Sequence, residues 1–190
     1  MQEPSADSWS REASITVEIA RALRELNLGF LQLDGFAAPR LTALPDARKA
    51  AIASCPYALF DLRFHDGTYW QPRLREPEPG CVAEMPPVDE ATVAFVRLVL
   101  FYAWHLASTT RLRARLLLGM HERTAAAFAE ATVGRLSALA VGESVHLTPR
   151  WSHCEAFWLS LAEAAERSDR SGLRRVQLYG LQLAAATRLP

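Results

Sequence analysis

The chain has 190 residues and a mass of 21.1 kDa, long enough to bury roughly 70% of its unfolded surface without disulfide or metal staples. Half of the residues are hydrophobic and 22% are charged, which excludes a disordered chain. Basic and acidic residues number 21 each, so no overall field draws the protein onto nucleic acid or an acidic membrane.

Residues 1–14 show no periodicity and read as a disordered leader, too polar and acidic for a signal peptide. From there Ile15, Ile19, Leu23, Leu26, Phe30 and Leu33 place one apolar stripe on a helix that Gly35 stops. Pro45 and Asp46 open a short helix to about Ala53. Phe60, Leu62 and Phe64 then alternate with Asp61, Arg63 and His65, a half-buried extended segment closed by an Asp66-Gly67 turn. Residues 71–87 hold five of the eleven prolines and read as a linker.

Asp89 is placed to cap a helix through Ala107 whose apolar residues occupy nearly every face, the mark of a helix at the centre of a bundle. Its apolar run, 93–107, is broken by Arg97 and is too short to span ~30 Å of hydrocarbon. Shorter helices are expected around 112–118, 122–130 and 133–141. Ser152-His153-Cys154-Glu155 reads as a capping box ahead of AFWLSLA, and a final amphipathic helix covers 171–187. The expected fold class is all-α, a compact helical bundle with short extended segments.

The two halves echo each other. Shifted by 87 residues, Arg48 falls on Arg135, Leu41 on Phe128, Ala51-Ile52-Ala53 on Ala138-Leu139-Ala140, and Arg63 on Arg150. Phe64 and Trp70 match Trp151 and Trp158, while residues 26–31 match 101–106 at a shift of 75. Each copy reads as a long helix, short helices, an extended turn and an aromatic closure. The chain then divides into a leader (1–14), a first repeat with its Pro-rich linker (15–87) and a second repeat (88–190).

Several segments carry a likeness beyond this internal one. In the first copy they are Leu26-Asn27-Leu28-Gly29-Phe30-Leu31 and LFDLRFHD at 59–66; in the second, Leu117-Leu118-Gly119-Met120 followed by HERTAAAFAEATVGRLSALA. With these the repeat unit resembles the flagellar transcriptional activator subunit FlhD, whose members show an Asn-aliphatic helix, a Leu-Gly turn, an Ala-rich helix, a Thr-led helix and an aromatic-Arg-aromatic ending. The resemblance implies an all-helical, dimeric, non-enzymatic subunit that controls transcription with a zinc-containing partner. A family subunit is about one copy long, whereas this chain holds two. Phe60 stands nearest the place of the cysteine that bridges family dimers, and the family's C-terminal DNA-contacting segment has no match. Two copies in one chain, tied at high effective concentration, are expected to form a monomeric pseudo-dimer with the first long helix packed on the central one.

Residues 123–141 also permit a helix-turn-helix reading across Ala131-Thr132-Val133, with Arg135 and Ser137 opening the second helix. A reading helix presents several polar side chains to base edges, and alanines and leucines fit a packed hairpin better. Arginines cluster at Arg111, Arg113, Arg115 and at Arg167, Arg170, Arg174, Arg175. The chain up to Pro87 holds 9 basic and 12 acidic residues, the remainder 12 and 9. Arg111, Arg113, Arg115, Arg135, Arg170, Arg174 and Arg175 are therefore the candidate contacts to a protein partner or nucleic acid.

None of the five histidines has the spacing that sets two metal ligands on one helix face. His105, on the most apolar helix, reads as a core histidine. Cys55, Cys81 and Cys154 form an odd count without a CxxC pair, against a disulfide framework or a four-cysteine zinc site and in keeping with a reducing cytoplasm. No phosphate loop, nucleophile elbow or dinucleotide fingerprint occurs. Tyr69-Trp70 and Phe157-Trp158 read as aromatic core closures. The expectation is a cytoplasmic, non-catalytic regulatory or adaptor protein acting through protein–protein contacts, with no catalytic residue, cofactor, metal or membrane contact, and with nucleic acid reached only indirectly. The alternatives are a DNA-binding regulator using the second half and a small-molecule-binding or enzymatic bundle using His105 and its aromatic neighbours.

Overall fold

A computed structural model describes residues 6–36, 39–75 and 89–186. Within them lie α1 (Ala6–Gln32), α2 (Pro39–Thr42), α3 (Asp46–Ala53), β1 (Phe60–Asp61), α4 (Gly67–Arg75), α5 (Glu90–Thr109) and α6 (Arg111–Leu118). They are followed by α7 (Glu122–Glu130), α8 (Val133–Glu143), a 3-10 turn at Ser144–His146, β2 (Thr148–Pro149), α9 (Glu155–Glu166) and α10 (Arg170–Ala186). The fold is all-α, as the periodicity predicts, and the two strands pair as a minimal antiparallel ladder.

The helix starts follow local chemistry. Pro45 precedes α3, the Asp89 carboxylate accepts from the Thr92 amide at 3.1 Å to cap α5, and the Thr132 hydroxyl accepts from the Arg135 amide at 3.3 Å to cap α8. Gly119 ends α6 with a left-handed φ of 72°, and a side chain there would collide with the Arg150 guanidinium.

Four local expectations are overturned. The leader is helical from Ala6 onward, since residues 6–14 contain no Gly or Pro to stop a helix; residues 1–5 lie outside the described residues. Asp66 caps α4 instead of closing a turn, its carboxylate accepting from the Tyr69 amide at 3.0 Å and the Thr68 hydroxyl at 2.7 Å. The linker reading fails for residues 71–75, which finish α4 with Pro72 inside it; the carbonyl freed by the missing proline N–H belongs to exposed Thr68. Residues 76–88, the remainder of that linker, and residues 187–190 lie outside the described residues. The Ser152 capping box does not form: Cys154 precedes α9 without a side-chain cap, because Trp151 turns at φ 53° and carries Ser152 into solvent.

Phe60, Leu62 and Phe64 are all fully buried, as their alternation predicts, yet the strand stops after Asp61 because Arg63 takes φ 55°. Trp151 takes the same conformation 88 residues later. The Trp70 indole donates to the Leu62 carbonyl at 3.1 Å, and the Trp158 indole donates to the Arg150 carbonyl at 3.0 Å. The ladder pairs Phe60 with Pro149 and Asp61 with Thr148, and a shift of 88 exchanges these two pairs. At the closing turn the structural match is therefore Leu62 with Arg150 and Arg63 with Trp151, one residue from the register that the arginine spacing suggests.

Helix α1 crosses α5 in antiparallel fashion. Phe30 meets Phe95 with ring centroids 6.2 Å apart, and the Tyr102 hydroxyl donates to the Ile19 carbonyl at 3.1 Å. Helix α5 also packs on α6, α7 and α8, so it holds the expected central place. Its remaining face, Ala94, Leu98 and His105 at helical spacing, is exposed, which overturns the core reading of His105. With 20 residues α5 is long and apolar enough, by length and composition, to cross a membrane; half of that span is buried inside the protein. One apolar core runs through both halves. Helix α10 caps it with a small-residue face, where Gly180 lies so close to the Tyr57 hydroxyl that no side chain fits.

Asn27 has no exposed surface. Its amide donates to the Tyr57 carbonyl at 2.9 Å and the Ala53 carbonyl at 3.3 Å, and its oxygen accepts from the Leu59 amide at 2.9 Å. Removing it orphans buried backbone groups at about 1–3 kcal/mol each. Asn27→Ala is expected to lose more than ~2 kcal/mol in urea unfolding; a loss within ~0.5 kcal/mol, the level of an unremarkable surface change, would show that the coil finds other partners.

Candidate functional site

The candidate arginines do not form one patch. Arg113 reaches α1, its guanidinium donating to Thr16 Oγ1 at 2.9 Å. Arg115 pairs with Glu122 at 2.8 Å across the α6–α7 turn. Arg135 folds back so that its Nε donates to the Arg73 carbonyl, and Arg175 lies 3.6 Å from Asp169. Arg111, Arg170 and Arg174 are exposed. Arg113 stands two residues from both Arg111 and Arg115 and therefore faces a different side of α6.

The α7–α8 hairpin is packed from both sides. Helix α7 buries Thr124, Ala125, Ala127 and Phe128, and α8 buries Leu136, Leu139, Ala140 and Glu143. The exposed residues of α8 are Val133, Gly134, Ala138 and Val141, while Arg135 and Ser137 are half-buried. The four exposed residues offer no side-chain donors or acceptors to base edges.

The histidines are dispersed. His65 Nδ1 lies 3.6 Å from Asp61, whose carboxylate raises the imidazole pKa above its ordinary value. The His121 ring nitrogen accepts from the Arg123 amide and caps α7. His146 stands edge-on to Tyr69, 5.5 Å between centroids. His105 and His153 are exposed. Among the described residues, no group of three or more His, Cys, Asp or Glu side chains is placed to hold a metal ion. Cys55 is buried, Cys154 is half-buried and both are free; Cys81 lies outside the described residues. The aromatic closures pack against the core, as expected, and each draws on both halves: Phe64 and Trp70 meet Phe128, and Trp151 and Phe157 meet Tyr57.

Two features escape the sequence reading. The first is a polar knot between α4 and the end of α8. Arg63 and Arg73 lie over the Tyr69 ring, 4.2 and 3.8 Å from its centroid. The Tyr69 hydroxyl donates at 2.8 Å to Glu143, a carboxylate only 3% exposed, which Arg73 also meets at 3.3 Å. Burial and then the two guanidiniums depress the His146 pKa. No sequence signal marks Glu143, because its partners lie about 70 residues away. The second is a pair of surface pockets. One, about 500 Å³, lies between α1, α6 and residues 54–56. The other, about 550 Å³, follows the strand pair and includes Asp61, His65, Arg150 and His153. Ser152 lines that second cleft, but among the described residues no hydrogen bond joins it to a histidine.

Comparison of the chain with protein-family models, curated proteins and solved structures returns no match.

Two measurements test the polar knot. Tyr69→Phe strips Glu143 of its hydroxyl donor and is expected to cost about 1–3 kcal/mol; unchanged urea unfolding would contradict this. His146, with its folded pKa depressed, adds stability above the ordinary histidine value that is lost as pH falls through the folded value. His65, with its pKa raised by Asp61, has the opposite sign. His146→Gln is therefore expected to reduce the acid-side loss of stability, and an unaltered stability–pH curve would contradict the placement of its ring.

Proposed function

We propose that the protein is a non-catalytic helical regulatory or adaptor protein of the cytoplasm, built as two FlhD-like units in one chain and acting through protein–protein contacts. The observation that carries this reading is the outward surface of α8. Val133 and Val141 are 51% and 39% exposed, and Val145 just beyond the helix is 49% exposed, with Ala138 between them. Apolar side chains set together on a surface favour a protein partner, whereas the DNA-binding alternative needs polar side chains on this same helix. The internal ladder between β1 and β2 supports the two-unit reading, since the second half stands against the first as a partner subunit would.

A photo-crosslinker at position 141 is expected to yield a discrete protein adduct in native lysate. Val133→Asp, which leaves the core untouched, should abolish that adduct, and a crosslinker at the exposed position 153 should not yield it. Titration with mixed-sequence duplex DNA at low salt is expected to show no saturable binding. Salt-dependent, saturable DNA binding, or a lack of any Val133-sensitive adduct, would contradict the proposal.

A further inference from the structure

The pocket between α1, α6 and residues 54–56 has the composition of a small-molecule site. Its volume of about 500 Å³ falls in the range of roughly 300–1,000 Å³ typical of such sites. Helical spacing builds it: Thr16, Ala20, Leu23 and Arg24 follow one stripe of α1, while Arg113 and Leu117 stand one turn apart on α6. The floor is apolar, from Ile19, Leu23, Pro56 and Leu117. Arg21, Arg24 and Arg113 are among the residues that line it, and no acidic residue is among its described lining residues. Arg113 is held in place by Thr16 at 2.9 Å. Among the described residues Arg21 pairs with Glu25, at 3.8 Å between two largely exposed side chains, a pairing worth little in water. Cys55 at the inner wall is no nucleophile: burial pushes its thiol pKa up to about 12, so it stays neutral and adds apolar surface.

We propose that this pocket binds a free single-chain carboxylate of the fatty-acid class, its alkyl tail on the apolar floor and its head group within reach of Arg24 and Arg113. An apolar cleft edged by cations fits a ligand with one anionic end and an apolar body. The guanidinium fork matches a carboxylate through two parallel hydrogen bonds. The site lies away from the outward face of α8, so the proposal stands independently of the adaptor reading.

The test is calorimetric titration of the full chain with sodium hexanoate, octanoate and decanoate, below the concentrations at which they self-associate. Decanoate is expected to bind saturably at one site, with affinity rising about threefold to fourfold per added methylene. Decanol and decyltrimethylammonium should bind at least tenfold more weakly. Arg24→Glu, an exposed change that spares the fold, should weaken decanoate tenfold or more, and Arg113→Glu should do the same; Arg174→Glu, the same charge change on α10, should not. Equal binding of the cationic amphiphile, equal losses from Arg174→Glu and Arg24→Glu, or no saturable decanoate binding would overturn the proposal. Flotation with phosphatidylglycerol vesicles separates the two sources of an anionic lipid: vesicle binding without decanoate binding would assign the cations to a membrane surface and overturn it as well.

Discussion

Between α3 and β1 the chain runs as coil through the middle of the protein. Cys55, Tyr57, Ala58, Leu59 and Phe60 are all buried there, so their backbone N–H and C=O groups have no water to turn to. The partners come from distant parts of the sequence. Asn27 on α1 holds the Tyr57 and Ala53 carbonyls and the Leu59 amide. The Leu117 carbonyl at the end of α6 accepts from the Ala58 amide at 2.9 Å, and the Leu59 carbonyl accepts from the Arg150 amide at 2.9 Å. The Arg150 side chain, only 6% exposed, adds a bond to the Leu117 carbonyl at 2.9 Å. A coil without ladder partners of its own has become the place where the two halves share hydrogen bonds.

Everything near the seam follows from that arrangement. The coil delivers Phe60 and Asp61 to β2, and the His121 amide reaches back to the Phe64 carbonyl at 3.0 Å. Gly119 is needed twice, for its left-handed turn and for the room that Arg150 occupies. The Tyr69–Glu143–Arg73 knot closes the same seam from the α4 side. Under a shift of 88 residues the two strand pairs exchange and the two indole bonds superpose in kind, a local two-fold relation on which the proposed two-unit reading rests. The proposed adaptor role needs such a scaffold: the coil's backbone finds its partners inside the protein, which leaves the outer faces of α8 and α1 for other molecules.

Much of the secondary structure was legible because it rests on short-range chemistry. The stripe of α1, the Asp89 cap, the Gly119 stop and the alternation of Phe60, Leu62 and Phe64 each involve residues within a turn or two of each other. Errors arose where local signals competed. Ser152-x-x-Glu155 has the letters of a capping box, but the left-handed turn at Trp151 shifts the helix start past it. Pro72 suggested a linker, yet a surface helix tolerates the lost bond. His105 looked like core because its helix is apolar all round, and only the packing of α5 reveals the face left open. Asn27 lay inside the conspicuous 26–31 segment without its role being readable, since its partners are 26–32 residues away. The arginine clusters, conspicuous in sequence, separate because helical geometry sends neighbours to different faces.

The central claim is that the two halves form one cooperative unit through the buried coil. Native-state hydrogen exchange measures it directly at amides that donate across the seam, among them those of Ala58, His121 and Arg150. In one cooperative unit these amides exchange only through global unfolding, with the same opening free energy as the slowest amides of α1 and α5. Exchange of all three through a lower-energy opening, while α1 or α5 stayed protected, would mean that the halves are separate units in contact and would contradict a single cooperative core.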